Sequence, residues 1–219
     1  MNRLPSIVRQ HLAALRILIV FTVVCGIGYP LVILGIGQAV FHNQANGSLV
    51  SFHGHVVGSS LLCQEFVTAK GAPLPQYFQP RPSDAVSGES NDYGCDPLYS
   101  AASNLGPNNP AQVQLVKQRQ QQIAAFDHVS VSQIPPDAVT ASASGLDSDI
   151  SPANAAIQVD RVAAARGASP AAIRALVAAH TQGRTLGFLG EPGVDVLTLN
   201  IALDEKYPVA QATAAGTGS

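Results

Sequence analysis

Charged residues are scarce in this chain of 219 residues: Asp, Glu, Lys and Arg together make up 12% of it. A soluble globular domain carries about twice that share, so part of this protein's surface must be neutral or covered by a membrane or a partner. The formal net charge is -2, and no cluster of Lys and Arg follows the N-terminus. The electrostatic pattern of a nucleic-acid-binding protein is therefore missing, and we expect no nucleic-acid partner.

Catalytic motifs are also missing. The sequence contains no GxSxG elbow, no HExxH pair, no P-loop and no aspartyl-phosphate motif, so we expect no self-contained hydrolase or ATPase site, no catalytic residue and no metal site. His53 and His55 offer only two metal ligands and are interpreted as surface histidines. His180 is interpreted as a core or boundary histidine, and Asp147 and Asp149 as turn residues before a helix.

What the sequence does have is one long apolar run. Residues 17–41 contain no Asp, Glu, Lys or Arg, and about 25 helical residues are enough to cross a hydrocarbon core of roughly 30 Å. A cleaved signal peptide is the alternative, because Gly37 and Ala39 fit a small-residue cleavage pattern. Its apolar region would be shorter, at ~7 to 15 residues. We therefore predict one N-terminal transmembrane helix.

The charges around this run predict its orientation. Arg3, Arg9 and Arg16 precede it without any acidic residue, and the next basic residue is Lys70. The positive-inside rule then places residues 1–16 in the cytoplasm and everything after the span outside the cell membrane. We expect a single-pass protein of the inner membrane with an extracytoplasmic domain.

Small residues recur at spacings of three and four along the predicted span, which places them on one helical face. Such a stripe lets a second helix approach closely in lipid. Pro30 removes one backbone donor and is expected to bend the helix near its middle. The stripe consists of Thr22, Cys25, Gly28, Val32, Gly35 and Ala39.

The outer part, residues 42–205, reads as a mixed α/β domain with a flexible tail at 206–219. Residues 43–51 are a polar linker, strands are expected at 56–66 and 194–203, and residues 71–110 form loops. Three helices are expected between them, each opened by an N-cap residue and a proline at the first helical position. These openings are Asn109–Pro110, Ser151–Pro152 and Ser169–Pro170.

Apolar side chains at helical spacing predict the buried face of each of these helices. The second helix is expected to end at Gly167, and the third shortly before Gly183. The expected buried residues are Val113, Val116 and Ile123 in the first helix, Ala155, Val159, Val162 and Ala163 in the second, and Ile173, Leu176, Val177 and His180 in the third.

Two of the three cysteines fall in the outer domain. If that domain lies on the oxidising side of the membrane, as the arginines predict, Cys63 and Cys95 can form a disulfide, whereas Cys25 lies within the span. Sequence spacing alone leaves this pairing open.

Seven strings make the chain similar to the KdpC subunits of bacterial potassium-transporting ATPases, from the membrane helix to Asp204. Their number and order make the resemblance specific, although the segment 84–102 is longer than in the usual family member. The strings are GYPLV (28–32), VGSSLLCQEF (57–66), YFQPRPS (77–83), SNLGPNNP (103–110), VTASASGLDSDISPANA (139–155), QVDRVAAARG (158–167) and LGEPGVDVLTLNIALD (189–204).

This resemblance implies a non-catalytic accessory subunit of a complex that imports potassium at the expense of ATP. Its partners would be the channel-like subunit KdpA, the P-type ATPase subunit KdpB and the small subunit KdpF. The family is described as a catalytic chaperone that raises the affinity of the ATPase subunit for ATP. A glutamine in the position of Gln158 is proposed to touch the nucleotide; otherwise Gln158 is a polar residue on a surface helix.

Two other classes stay open at this stage. A membrane-anchored extracytoplasmic enzyme would need convergent titratable groups in a pocket. A scaffold or adhesin would fold and stay at the membrane without any transporter.

Overall fold

The computed structural model describes residues 5–88 and 93–209. The chain forms two compact units, Met1–Ser48 and Leu49–Ser219. The first unit is helical, whereas the second combines helices with short strands, which confirms the predicted mixed α/β class with one N-terminal apolar helix.

A single apolar helix spans Ser6–Val40 in the first unit and is long enough to cross a membrane. It comprises α1 (Ser6–Val23), a π turn (Val24–Gly28) and α2 (Tyr29–Val40), and none of its described residues is buried. A short helix α3 (His42–Ala45) follows. The helix begins well before the apolar run at residue 17, because the polar residues there do not interrupt helical hydrogen bonding.

The π turn lies directly before Pro30 and bonds the Tyr29 N–H to the Val24 carbonyl. Proline cannot donate to the preceding turn, and a π turn is one way in which a helix accommodates such a gap. Because the wider turn adds a residue, the residues after it are rotated about the helix axis. Cys25 and Gly28 of the stripe lie within this turn, and Val32, Gly35 and Ala39 lie on α2.

The second unit begins with an antiparallel hairpin of β1 (Leu49–Phe52) and β2 (His55–Ser59). Its two-residue loop has positive φ at both positions, 50° at His53 and 81° at Gly54, as tight hairpins require. The predicted linker over 43–51 is therefore wrong at both ends, because α3 extends to Ala45 and β1 begins at Leu49. The predicted strand over 56–66 ends early, at Ser59.

Residues 60–109 lie outside helices and strands wherever the structure describes them, apart from one isolated bridge between Val67 and Pro73. After them come α4 (Pro110–Asp127), a 3-10 turn (Val131–Gln133) and α5 (Pro136–Val139). The loop prediction for 71–110 is thus confirmed over the described residues.

A small antiparallel sheet lies among the remaining helices. Its strands are β3 (Asp149–Ile150), β4 (Thr181–Gln182) and β5 (Gly193–Asp195), and they lie side by side in the order β3-β5-β4. Ile150 pairs with Val194 on one side of the central strand, and Thr181 pairs with Val194 on the other. The elements of this half are β3 (Asp149–Ile150), α6 (Pro152–Arg166), α7 (Pro170–Ala179), β4 (Thr181–Gln182), β5 (Gly193–Asp195) and α8 (Val196–Lys206).

The three predicted helix openings are confirmed. The side chains of Asn109, Ser151 and Ser169 each accept a main-chain N–H of the first turn, at 2.9, 3.0 and 3.2 Å. Gly167 ends α6 in the left-handed region, with φ of 63°, as a helix C-terminus favours.

The predicted strand over 194–203 is wrong beyond Asp195, where α8 begins. The carboxylate of Asp195 accepts the Thr198 N–H at 2.6 Å and so caps this helix. Alternation of leucines with polar residues favoured a strand, but the buried positions follow helical spacing instead. The most deeply buried positions, each at most 1% exposed, are Val196, Leu199, Asn200 and Leu203; Leu197 and Ala202 are buried beside them.

The core is built from the predicted faces of α6 and α7 together with α8. Every predicted core residue of α6 is buried, and so are Ile173, Leu176 and Val177 of α7. His180 is instead the C-cap of α7, half-buried, with Nδ1 bonded to the Leu176 carbonyl. On α4, Val116 and Ile123 pack against a second cluster whereas Val113 is exposed. Residues 210–219 of the predicted tail lie outside the described residues.

Asp149 and Asp195 stand directly opposite each other across β3 and β5. Burial, and then the neighbouring charge of Asp195, raise the pKa of Asp149. A raised carboxyl pKa favours folding below the ordinary pKa of the group, and this benefit is lost as the pH rises through the raised value. Ionised Asp149 therefore opposes folding at neutral pH.

We therefore expect Asp149→Asn to raise the Tm at pH 7.5 by a few degrees, roughly 2–4 °C for each kcal/mol in a chain of this size. The gain should shrink towards pH 4. Thermal unfolding of the purified protein in detergent measures both values. Asp147→Asn is the matched control: it breaks a 2.6 Å ion pair with Arg81 and should not stabilise. A lower Tm of Asp149→Asn at pH 7.5 would contradict the prediction.

Candidate functional site: a side-chain cradle for residues 75–79

Residues 75–79 form neither helix nor strand, and side chains from α6 and α8 bind their main chain. The Asn200 amide accepts the Phe78 N–H and donates to the Phe78 carbonyl, both at 2.9 Å. In the same way, the Gln158 amide accepts the Gln79 N–H at 2.7 Å and donates to the Gln79 carbonyl at 3.2 Å. Two side-chain amides thus pair with successive residues much as a neighbouring strand would. We call residues 75–79 the strap.

Two arginines of α6 bind the remaining carbonyls of the strap. Arg161 donates to those of Pro75 and Tyr77 at 2.6 and 2.8 Å, and Arg166 donates to that of Gln76 at 2.7 Å. Every carbonyl from residue 75 to 79 is therefore held by a side chain. We call the four binding residues the cradle: Gln158, Arg161, Arg166 and Asn200.

Arg161 also closes the cradle against α4. Its Nε donates to Asp127 at 2.6 Å, its Nη2 donates to Gln158 at 2.8 Å, and its guanidinium lies 4.3 Å from the centre of the Phe126 ring. Both members of the Arg161–Asp127 ion pair have 5% exposed side chains. Burial raises the pKa of Asp127 and lowers the pKa of Arg161, in each case against the effect of the partner's charge. The loss of hydration thus affects both pKa values more than the attraction between the two charges does. The hydrogen bonds from Arg161 to the strap carbonyls compensate part of the cost of burying this pair.

Arg166 ties the strap to the end of α8. It forms an ion pair with Asp204 at 2.9 Å and donates to the Tyr207 carbonyl, also at 2.9 Å. Its guanidinium lies 4.8 Å from the centre of the Tyr77 ring, and the Tyr77 hydroxyl donates to Asp204 at 3.1 Å. Burial, and then Asp204, raise the pKa of Tyr77.

Gln158 is 3% exposed, so its interpretation as a surface residue is wrong. Its Oε1 accepts hydrogen bonds from Gln79 and Arg161, and its Nε2 donates to the Gln79 carbonyl and to Asn154 at 3.0 Å. These four bonds use the full donor and acceptor capacity of a side-chain amide. In this conformation Gln158 has no free polar group for a ligand.

A cleft of about 330 Å³ adjoins the cradle and is bounded by α4 and the segment after the strap. Arg119 faces it and donates to the Val139 carbonyl at 3.1 Å; burial lowers the pKa of Arg119. Two carboxylates line it, of Glu65 and Asp127, and the second is bound to Arg161. Of the residues that the structure describes, the lining contains neither a histidine nor a cysteine.

Potential metal ligands do not converge in the described part of the chain, where no group of three His, Cys, Asp or Glu could hold an ion. His53 lies in the hairpin loop and His55 begins β2, so the two do not share one strand face. Asp147 pairs with Arg81. The geometry of the cradle therefore brings together side chains that bind main-chain groups.

Cys63 and Cys95 form a disulfide, with a Cα–Cα distance of 5.4 Å. Cys95 lies in the segment 84–102, which has no helix or strand among its described residues. The bond therefore fastens this segment to the turn region that follows β2. Cys25 is a free, exposed cysteine in the apolar helix.

Three of the four cradle residues were not predicted from the sequence. The available signal was a line of polar residues on an otherwise buried helix: Asn154, Gln158 and Arg161 follow one another at spacings of four and three. Polar residues on a buried face need partners. What the spacing could not reveal is that the partner is a loop distant in sequence.

Comparison with known proteins gives one consistent family. The family model described as KdpC, K+-transporting ATPase, c chain, matches residues 11–205. A potassium-transporting ATPase KdpC subunit of Kineococcus radiotolerans is 46% identical over 94% of this chain and 98% of its own length. The corresponding subunit of Geobacter sulfurreducens is 48% identical over 89% and 97%. That of Sorangium cellulosum is 49% identical over 87% and 95%.

The cradle predicts a structural effect of Gln158. Gln158→Ala leaves the partly buried N–H and carbonyl of Gln79 without partners, which should cost about 3 kcal/mol and lower the Tm by roughly 6–12 °C. Thermal unfolding of the purified chain measures this. Gln122→Ala is the matched control, since Gln122 lines the same cleft but is exposed on α4. An unchanged Tm for Gln158→Ala would contradict the role of the cradle.

Proposed function

The chain belongs to the KdpC family, the c chain of K+-transporting ATPases, and from this premise we propose that it is the non-catalytic accessory subunit of a potassium-importing ATPase. In this role it is needed for assembly and raises the affinity of the ATPase subunit for ATP. The observation that carries the proposal is the family match over residues 11–205, which takes in most of the apolar helix and the whole cradle. All four hydrogen-bonding positions of the Gln158 amide are taken within the chain, which supports a structural role for this residue rather than a chemical one.

The proposed partners are the channel-like subunit KdpA, the ATPase subunit KdpB and the small subunit KdpF. Potassium and ATP are then substrates of the complex, handled by those subunits. In the membrane, we propose that the small residues of the stripe form the contact with a partner helix. On α2 these are Val32, Gly35 and Ala39, and a Cβ atom added at Gly35 would meet nothing within 4 Å beyond the backbone of its own helix.

We propose that the second unit lies outside the cell membrane. Two independent features support this orientation. Arginines precede the apolar helix, whereas none follows it closely. The disulfide between Cys63 and Cys95 is a bond that persists in oxidising compartments.

This orientation makes the effect on ATP indirect. A side chain outside the membrane cannot touch a nucleotide bound in the cytoplasm, and Gln158 already uses all of its hydrogen-bonding capacity. We therefore propose that Gln158 acts by keeping the shape of the outer unit. The subunit then alters ATP affinity by binding one conformation of its partners better than another.

Removal of this chain from the purified complex tests the function. We expect potassium-dependent ATPase activity to be lost, through disassembly or through a higher ATP requirement, and to return when the chain is added back. The chain alone should neither hydrolyse ATP nor carry potassium. A complex that stays stable and fully active without it would refute the proposal.

The orientation is tested by cysteine labelling in a Cys25→Ser background, which removes the free thiol. Lys117→Cys, on the exposed face of α4, should react with a membrane-impermeant maleimide in intact cells with a permeabilised outer barrier. Arg9→Cys is the matched control on the other side and should react only after lysis. The reverse pattern would place the second unit in the cytoplasm.

A further inference from the structure

The cleft beside the cradle carries two side chains of opposite charge that do not pair with each other. Four of its described lining residues are charged: Glu65, Arg81, Arg119 and Asp127. Arg81 is paired with Asp147, and Asp127 is paired with Arg161, both at 2.6 Å. That leaves Arg119 and Glu65, between which no ion pair forms in the described part of the chain.

The guanidinium of Arg119 is incompletely satisfied. Its Nη1 donates to the Val139 carbonyl at 3.1 Å, which is its one hydrogen bond to the described residues. Burial lowers the pKa of Arg119, and the negative charge of Asp84 offsets this effect only in part. A half-buried guanidinium with open donors is suited to bind a carboxylate through two parallel hydrogen bonds.

The carboxylate of Glu65 belongs to a different wall of the cleft. It lies in the loop after β2, against Gly94, and occupies space that a side chain at position 94 would need. Gly94 has a φ of 137°, and its neighbour Cys95 is held by the disulfide with Cys63. A carboxylate accepts about four hydrogen bonds, so one that lies against such a wall can also accept an ammonium group.

Apolar groups complete the lining. The Tyr93 ring is held in place because its hydroxyl donates to the Ala69 carbonyl at 3.1 Å and because Gly71 leaves room for the ring. The volume of about 330 Å³ is near the lower end of the range for small-molecule sites, about 300 to 1,000 Å³. The apolar lining residues include Val67, Pro73, Tyr93, Ile123 and Phe126.

The polar side chains at the cradle end of the cleft are already occupied. Asn154 donates to Asp137 at 3.2 Å and accepts from Gln158 at 3.0 Å, and Gln158 uses all of its hydrogen-bonding positions within the chain. Recognition of a charged ligand in this cleft therefore falls to Arg119 and Glu65.

We propose that this cleft binds a free α-amino acid with an apolar side chain, its carboxylate on Arg119, its ammonium group on Glu65 and its side chain against the apolar lining. A ligand with a single charge is less suited, because one of the two side chains would attract it and the other would repel it. The inference concerns the chain by itself and does not rest on the proposed function.

Calorimetric titration of the purified full-length chain in detergent tests the site, with L-leucine as the probe. N-acetyl-L-leucine lacks the ammonium group and L-leucinamide lacks the carboxylate. Each should bind about tenfold more weakly or worse, because each loses a charge-assisted contact. Absence of L-leucine binding at millimolar concentration would overturn the proposal, and so would equal binding of either derivative.

Variants of the two charged residues provide the second measurement. Arg119→Gln and Glu65→Gln should each weaken L-leucine binding about tenfold or more. Lys117→Gln, at an exposed position of the same helix α4, is the matched control and should bind as the wild type does.

Glu65→Gln also separates a ligand contact from a general loss of structure. Because this variant lacks the carboxylate, it should bind N-acetyl-L-leucine as tightly as L-leucine. A preference for L-leucine that persists in Glu65→Gln would overturn the role of Glu65, and unchanged L-leucine binding by Arg119→Gln would overturn that of Arg119.

Discussion

The buried guanidinium of Arg161 links α4, α6 and the strap in the second unit. Four of its five N–H donors are bound, by Asp127, by two strap carbonyls and by Gln158. A cation removed from water is stable only if nearly every donor finds an acceptor. The positions of α4, α6 and the strap are therefore coupled: displacing any one of them leaves a buried charge or a buried carbonyl without its partner.

This constraint explains why the unit can be ordered with so little regular sheet. The strap and the long loop segments lack strand partners, so their main-chain groups must be satisfied in another way. Amide and guanidinium side chains of α6 and α8 do this for residues 75–79, and the disulfide at Cys95 fastens a second segment. Phe78, which is fully buried, then joins the core although it belongs to no helix or strand.

Local sequence signals predicted the features that depend on neighbouring residues, such as the helix openings. They did not predict the features that depend on contacts between residues distant in sequence, such as the cradle. The openings at Asn109, Ser151 and Ser169 were predictable because a cap and a proline act within one turn. The helix α8 was not predicted because its leucines alternate with a period of two, as in a strand. The feature that distinguishes a helix from a strand here is the cap at Asp195. The cradle was only partly predictable. Family resemblance singled out Gln158, but the sequence did not show that this residue binds the main chain of a loop far away in the chain.

The hydrogen bonds of Gln158 and Arg161 also limit how this subunit can act. Since Gln158 and Arg161 have almost no unused hydrogen-bonding capacity, a ligand could engage them only by breaking buried bonds, each of which is costly to lose. The second unit is therefore suited to act on partner subunits as a preformed body. In the proposed function, a tenfold change in ATP affinity requires that it bind one partner conformation more strongly by about 1.4 kcal/mol. Burial of a single large apolar side chain is worth roughly 1.5–3 kcal/mol, so one such contact at an interface is sufficient in size. The interface, rather than a nucleotide site on this chain, is where that energy can arise.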